Sequence, residues 1–187
     1  MSSQPPPHES SKFISNTDLV HVTCVINPVR LARISLPSSP NPLLHENLDL
    51  PADLLTDLVA CTDEMLHNAF IHGTLGLTPE ERKLDGQLFQ ELVRQKLSQP
   101  QIAARRIRYE LVIDNVAGFV RVSVEDDGDG FDHAGWMQDL QQEKHPTLDY
   151  NGRGLSMLAY LSDRLEFTQG GRRVQITFSM NNGGQTE

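Results

Sequence analysis

Three short stretches, each rich in polar residues or glycine, constrain this chain more than any other feature. The first is DEMLHNAFIHG, which contains Glu64 and Asn68; the second is EDDGDGFD, which contains Asp126; the third is NGRGL, which contains Gly152 to Leu155. Each stretch alone is common in proteins of many folds. Helical and strand patterns separate the three, so we expect the fold to bring them together at one site.

The first stretch ends an amphipathic helix that the sequence predicts from about residue 51 to residue 72. Its apolar residues recur at intervals of three and four, which predicts one buried face: Leu54, Leu55, Leu58, Val59, Met65, Leu66, Ala69 and Phe70. Gly73 is the predicted C-terminal stop. Glu64, Asn68 and His72 follow at four-residue spacing, so they lie along one line of the helix. A carboxylate and an amide therefore face the same space.

This pair has the chemistry of a magnesium-nucleotide site. Mg²⁺ takes only one or two protein oxygens when nucleotide phosphates supply the other ligands, so Asn68 alone suffices as the metal ligand. Glu64, one turn away, is then placed to act as general base toward an attacking hydroxyl group. The alternative is an ordinary polar helix face, which is the more common arrangement for an isolated pair of this kind. His72 is predicted to cap the last turn.

The second stretch follows a predicted hairpin, because residues 107–113 and 120–124 alternate between apolar and other residues. Asp126 comes at the end of the second strand. Its carboxylate can accept a hydrogen bond from the exocyclic amino group of adenine. Gly128 and Gly130 permit positive φ and leave room for a planar base to approach the backbone. The stretch therefore predicts an adenine contact.

A calcium loop is one alternative for these acidic residues, since Glu125, Asp127, Asp129 and Gly130 resemble the start of an EF-hand. An EF-hand requires a glutamate at its twelfth position and a helix on each side. This chain has Trp136 at that position and a strand before the loop. A plain acidic turn is the second alternative.

The third stretch places Gly152, Arg153, Gly154 and Leu155 at the start of an amphipathic run. Backbone amides at a helix start attract phosphate, and glycine lets the phosphate approach closely. A tight turn is the alternative. Met157 replaces the third glycine of a Rossmann motif, and no lysine follows these glycines as in a Walker motif, so the predicted pocket is of another kind.

With these motifs in this order, the chain resembles the GHKL ATPases of gyrase, chaperone and histidine-kinase type. Within them it resembles most the anti-sigma-factor serine kinases of bacterial partner-switching systems. The resemblance covers roughly residues 50 to 180 and implies the Bergerat fold. This is an α+β two-layer sandwich, with helices on one face of a mixed, mostly antiparallel sheet.

The resemblance also implies a role for each motif residue, with ATP and Mg²⁺ as cofactors. Glu64 is the implied general base and Asn68 the magnesium ligand. The implied nucleotide contacts are Asn68, Asp126, Gly128, Gly130, Gly152, Arg153, Gly154 and Leu155.

The predicted domain organisation is simple. Residues 1–16, rich in proline and serine, predict a disordered tail, and residues 17–181 predict one ATPase domain. Residues 74–105 form a helical insertion that begins with a capping box at Thr78 and Glu81. The insertion is either a partner-docking element or additional cover for the core. Residues 131–151 are the implied ATP lid.

Composition narrows the expected partners and location. The net charge of −9 disfavours nucleic acids and anionic membranes. A protein partner is expected instead: an anti-sigma-antagonist-like substrate, with a sigma factor as a second candidate and a homodimer as one expected assembly. Cys24 and Cys61 stand alone in apolar patterns and are predicted to be buried free thiols in a reducing compartment. No apolar run reaches the roughly 20 residues of a membrane helix, so a cytoplasmic protein is expected.

Four functions remain open at this point. The leading one is a protein serine/threonine kinase that phosphorylates a partner and thereby changes which protein it binds. The second is an ATP-dependent binding module without phosphotransfer. The third is the catalytic part of a sensor histidine kinase, and the fourth is an interaction protein that binds no nucleotide.

Overall fold

A six-stranded sheet forms one layer of the described part of the chain. The computed structural model describes residues 11–15, 18–32, 50–135 and 153–180. The strands are β1 (Ser11–Ser15), β2 (Leu19–Ile26), β3 (Ile107–Asp114), β4 (Phe119–Asp126), β5 (Arg164–Thr168) and β6 (Arg173–Ser179). Their order across the sheet is β1-β2-β3-β4-β6-β5. Every ladder between these strands is antiparallel, so the described sheet contains no parallel pair.

Helices form the second layer. The α-helices are α1 (Pro28–Leu31), α2 (Ala52–Asn68), α3 (Gly86–Leu97), α4 (Pro100–Ala103) and α5 (Arg153–Leu161). A π-helix, Ala69–Thr74, continues α2 directly, and single 3-10 turns lie at Glu81–Lys83 and Gln169–Gly171. Within the described ranges, no helix has both the length and the apolar character required to cross a membrane.

The core lies between one face of the sheet and the helices. Alternate strand residues point inward, and Tyr109 lies opposite Cys24 on one side and Val124 on the other. Side chains that are almost completely buried in this layer include Leu58, Met65, Leu111, Val122, Leu158 and Ile176. Cys61 is buried among them, and burial raises the pKa of its thiol to about 12, whereas Cys24 is half-buried.

The other face of the sheet carries charged pairs. Arg173 contacts Glu110 at 2.8 Å, and Arg108 contacts Asp127 at 2.7 Å. Each pair is partly exposed and adds at most about 1 kcal/mol to stability, but together they give this face a polar character. The predicted two-layer α+β sandwich is thus confirmed.

Two boundaries differ from those predicted. Residues 11–15 were expected in a disordered tail, yet they form β1 and pair in register with β2. A strand can join a sheet edge through backbone hydrogen bonds alone, which a composition rich in serine does not reveal. Residues 1–10 lie outside the described part. The second difference is at Gly73, where the helix does not stop but continues through Thr74 in wider π-turns.

The insertion is helical, as predicted, but consists of several short pieces. The capping box is present: the backbone N–H of Thr78 donates to Glu81 at 2.8 Å, and the N–H of Glu81 donates to the Thr78 hydroxyl at 3.2 Å. It caps only the 3-10 turn. One side of α3 packs on the core through Phe89, Leu92, Val93 and Leu97. Leu88, by contrast, is 64% exposed, so core cover accounts for part of the insertion and partner docking stays a prediction. Of the predicted lid, only residues 131–135 are described.

Candidate functional site

A cavity of about 410 Å³ lies between the C-terminal part of α2, the π-helix, β4 and α5. This volume is within the range of small-molecule sites. Among the predicted site residues, Asn68, Asp126, Gly130 and Leu155 line it. The wall is mainly apolar, with Met65, Leu77, Val124, Phe131, Leu158 and Val174. His72 and Arg82 add polar groups, so the cavity combines an apolar body with a few polar contacts.

Asp126 marks one end of the cavity, where two glycines allow close packing. The N–H of Gly128 donates to Asp126 Oδ1 at 2.7 Å. A Cβ atom at Gly73 would overlap the Asp126 carboxyl group, and one at Gly128 would overlap the carbonyl oxygen of Gly73. The carboxyl group can occupy this position only because neither neighbour has a side chain.

The environment of Asp126 changes its acidity. Burial raises the pKa of Asp126 to about 6, and the nearby Asp127 adds to the rise. The N–H of Gly128 and the charges of Arg105 and Arg172 act in the opposite direction. The carboxyl group is therefore mainly ionised at neutral pH and able to accept a hydrogen bond from a donor in the cavity.

Arg105, which lies outside the predicted motifs, stabilises the backbone next to Asp126. Its guanidinium donates to the carbonyl oxygens of Gly73 at 2.9 Å and of Thr74 at 2.8 Å. These carbonyl groups lie at the end of the π-helix, where no further turn follows whose N–H groups could donate to them. Arg105, at the end of the insertion, therefore fixes the backbone that packs on Asp126.

Glu64 and Asn68 stand one turn apart on α2, and of the two only Asn68 lines the cavity. Asn68 Nδ2 donates to Glu64 Oε1 at 2.8 Å. A carboxylate only accepts hydrogen bonds, so the amide nitrogen must face Glu64, and Asn68 Oδ1 is the atom left for a cation. An amide oxygen is a ligand type that Mg²⁺ accepts, and the residues present therefore fit this ion.

The third motif meets the first through Gly154. A Cβ atom at this position would overlap the Glu64 carboxylate, so glycine allows the start of α5 to lie against α2. Glu64 itself does not line the cavity. Arg153 is the first residue of α5, and neither its side chain nor Gly152 belongs to the described part. The phosphate loop therefore stays a prediction.

Gly130, one of the predicted site residues, also lies in close contact with another part of the backbone. Gly130 has φ of 76°, and a Cβ atom there would overlap the carbonyl oxygen of Gly170. Gly171 lies with its Cα close to Phe131, since an added Cβ would come within 2.7 Å of the Phe131 carbonyl oxygen. Phe131 also packs edge-on against Phe167, with ring centroids 5.4 Å apart. The turn between β5 and β6 thereby positions Phe131 and Gly130, which border the cavity.

The neighbouring acid at position 127 has a structural role. Its carboxylate accepts from Arg108 at 2.7 Å and from the backbone N–H of Arg106 at 2.9 Å. Burial alone would raise the pKa of Asp127, but these bonds outweigh burial and lower it. Asp127 thus ties β3 to the loop after β4.

Sequence reasoning missed three residues of this site. Gly73 was interpreted as a helix stop, because glycine often ends helices, although its place five residues after Asn68 within the first motif was a usable signal. Arg82 and Arg105 lie in the insertion, and no local pattern there indicated that they reach the cavity wall or the π-helix.

Replacing Gly73 with alanine tests the close packing directly. The new methyl group should displace the Asp126 carboxyl group, lower the free energy of unfolding by about 1–3 kcal/mol and weaken nucleotide binding. Urea unfolding and nucleotide titration measure the two effects. In a Gly73→Ala, Asp126→Ala double variant, stability should recover while binding should not. Equal stability of Gly73→Ala and the native chain would contradict the packing argument.

Comparison with known families agrees with this architecture. The family model described as "Histidine kinase-like ATPase domain" matches residues 43–179. No curated protein matches the chain. The matched range contains the motif residues at both ends of the cavity and extends over most of the sequence. The chain therefore belongs to the histidine kinase-like ATPase domain family, within the GHKL-type ATPases.

Proposed function

We propose that this chain is an Mg-ATP-binding serine/threonine protein kinase and an anti-sigma-factor-like regulator in a bacterial partner-switching pathway. One observation carries the proposal: a single cavity is lined both by Asp126, an adenine-type acceptor, and by Asn68, whose amide is held by Glu64. Family membership supports ATP as the ligand. The kinase activity and the pathway rest on the resemblance to the partner-switching kinases.

The Asp126 end suits adenine in shape and in charge. Gly73 and Gly128 bring backbone, with no side chain of their own, against the carboxyl group. Val124 and Val174 offer apolar surface beside it. A planar base with an amino group could therefore stack on apolar atoms while it donates to the carboxylate.

The Asn68 end suits the phosphates. Asn68 Oδ1 would hold Mg²⁺, and the ion, when bound, supplies positive charge that offsets charge developing on the phosphates. Glu64 keeps the Asn68 amide oriented through the 2.8 Å bond. In a kinase, the same carboxylate would accept the proton of the attacking serine or threonine hydroxyl.

A second candidate is an ATP-dependent protein-binding module without phosphotransfer. One observation favours it: the Glu64 carboxylate is engaged by Asn68, packs against Gly154 and does not line the cavity. In this second candidate, Glu64 would serve to orient its neighbours. In that case nucleotide binding would control partner binding, with no covalent change.

Incubation of the full chain with γ-labelled ATP and a co-encoded antagonist-like protein tests the choice. We expect label on a serine or threonine of that protein, and loss of its binding after phosphorylation. Stable ATP-dependent binding without label would favour the module. Size-exclusion chromatography of the chain with and without a co-encoded sigma factor tests sigma capture and the homodimer in the same preparation.

A further inference from the structure

Arg82 is a cation on the cavity wall that comes from the insertion. Its Nε donates to the carbonyl oxygen of Thr78 at 3.4 Å, and one terminal nitrogen lies 3.3 Å and 3.1 Å from the two ring nitrogens of His72. The side chain is half-buried. Within the described ranges, no carboxylate forms an ion pair with it.

His72 does not balance this charge. The two nitrogens of an imidazole point in different directions, so a single atom near both lies against the ring and bonds in line with neither. Burial, followed by the charges of Arg82 and His67, lowers the pKa of His72 to about 4, so the ring is neutral at physiological pH. A half-buried cation beside a neutral ring is available to an anionic ligand in the cavity, and a bond between the two charges would favour binding of that ligand.

The position of Arg82 indicates which anionic group of a bound ligand it would contact. His72 follows Asn68 by one helical turn and precedes Gly73, which packs on Asp126. Arg82 therefore contacts the cavity wall at His72, which lies along the chain between Asn68, the candidate metal ligand, and Gly73, which packs on Asp126. In an adenine nucleotide, the group between the base with its ribose and the metal-bound phosphates is the α-phosphate.

We propose that Arg82 binds the α-phosphate of the nucleotide, which makes the insertion part of the nucleotide site. This inference rests on the proposed ATP site. It explains why Arg82 lies on the cavity wall, and it links nucleotide occupancy to residues 81–105, because α3 follows the same 3-10 turn. A lysine at this position would retain charge but lose the planar contact with His72.

Competition against a fluorescent ATP analogue tests the proposal with ATP, AMP and adenosine as the competing ligands. Arg82→Gln should weaken the binding of ATP and of AMP by about tenfold or more, since both carry the α-phosphate. The affinity for adenosine, which has no phosphate, should not change. Arg82→Lys should lose less affinity for ATP and AMP than Arg82→Gln does. The matched control is Lys83→Gln, which removes the same charge from an exposed neighbour that does not line the cavity.

The outcomes separate this inference from the proposed function. Unchanged AMP and ATP binding in Arg82→Gln would overturn it, and so would an equal loss for adenosine, which would indicate a purely structural role. Weaker ATP binding with unchanged AMP binding in Arg82→Gln would place Arg82 at another phosphate and would also overturn the inference. Failure of the native chain to bind ATP would overturn the proposed function and this inference together.

Discussion

Replacing Asp126 with asparagine is expected to stabilise the nucleotide-free protein and to weaken ATP binding by about 10-fold to 100-fold. The asparagine oxygen can still accept the Gly128 N–H, so the turn is retained. Its other terminal atom becomes an N–H₂ donor, which would face the amino group of adenine, another donor. Calorimetric titration measures the affinity, and denaturant unfolding without nucleotide measures the stability.

The gain in stability should depend on pH in a defined direction. Burial holds the pKa of Asp126 at about 6 in the folded protein, above its ordinary value of 3.8. Its contribution to stability is thus fully present below pH 3.8 and is lost as the pH rises through about 6. Since the side chain is partly exposed, screening reduces the effect to about 1–2 kcal/mol at pH 7.5. The advantage of Asp126→Asn should shrink between pH 6 and pH 4.

Two results would contradict this assignment. One is an Asp126→Asn protein with native ATP affinity, which would remove Asp126 from the adenine contact. The other is a stability difference that does not change with pH, which would mean that the carboxyl group is not desolvated. Asp127→Asn is the matched control, because an amide keeps only one of the two oxygens that accept from Arg108 and Arg106 and loses the charge, so it should destabilise the protein at a residue that does not line the cavity.

The sequence predicted those helices and strands whose residues follow a local periodic pattern. The 3.6-residue period of α2 and the alternation in β3 and β4 each follow from one buried face, so periodicity located them. The order of motifs then led to the site through Glu64, Asn68 and Asp126.

Features that depend on distant contacts could not be predicted in this way. Gly73 lacks a side chain because Asp126, more than fifty residues later, packs against its Cα. Strand β1 exists because β2 offers an unpaired edge, and its own composition does not indicate a strand. Arg82 and Arg105 act on the π-helix only after the insertion has folded back on it. In each case, the decisive partner lies outside any local window.

Glu64→Gln should reduce label transfer to the partner protein by about 10²–10⁴-fold if Glu64 is the general base. Glutamine has the shape of glutamate, and its oxygen can still accept from Asn68 Nδ2, so the bond that orients Asn68 is retained. The substitution therefore removes basicity while leaving the cation ligand in place. We expect ATP affinity to change by less than about threefold, since the base acts on the hydroxyl and not on the nucleotide.

Comparison with Glu64→Ala distinguishes the base from an orienting residue. Alanine removes both the proton acceptor and the Asn68 bond, so it should reduce label transfer and also weaken binding of Mg-ATP. If Glu64 only orients Asn68, glutamine should retain nearly full transfer while alanine does not. That pattern would refute the general-base role and, with it, the strongest argument from these residues for a kinase over a binding module.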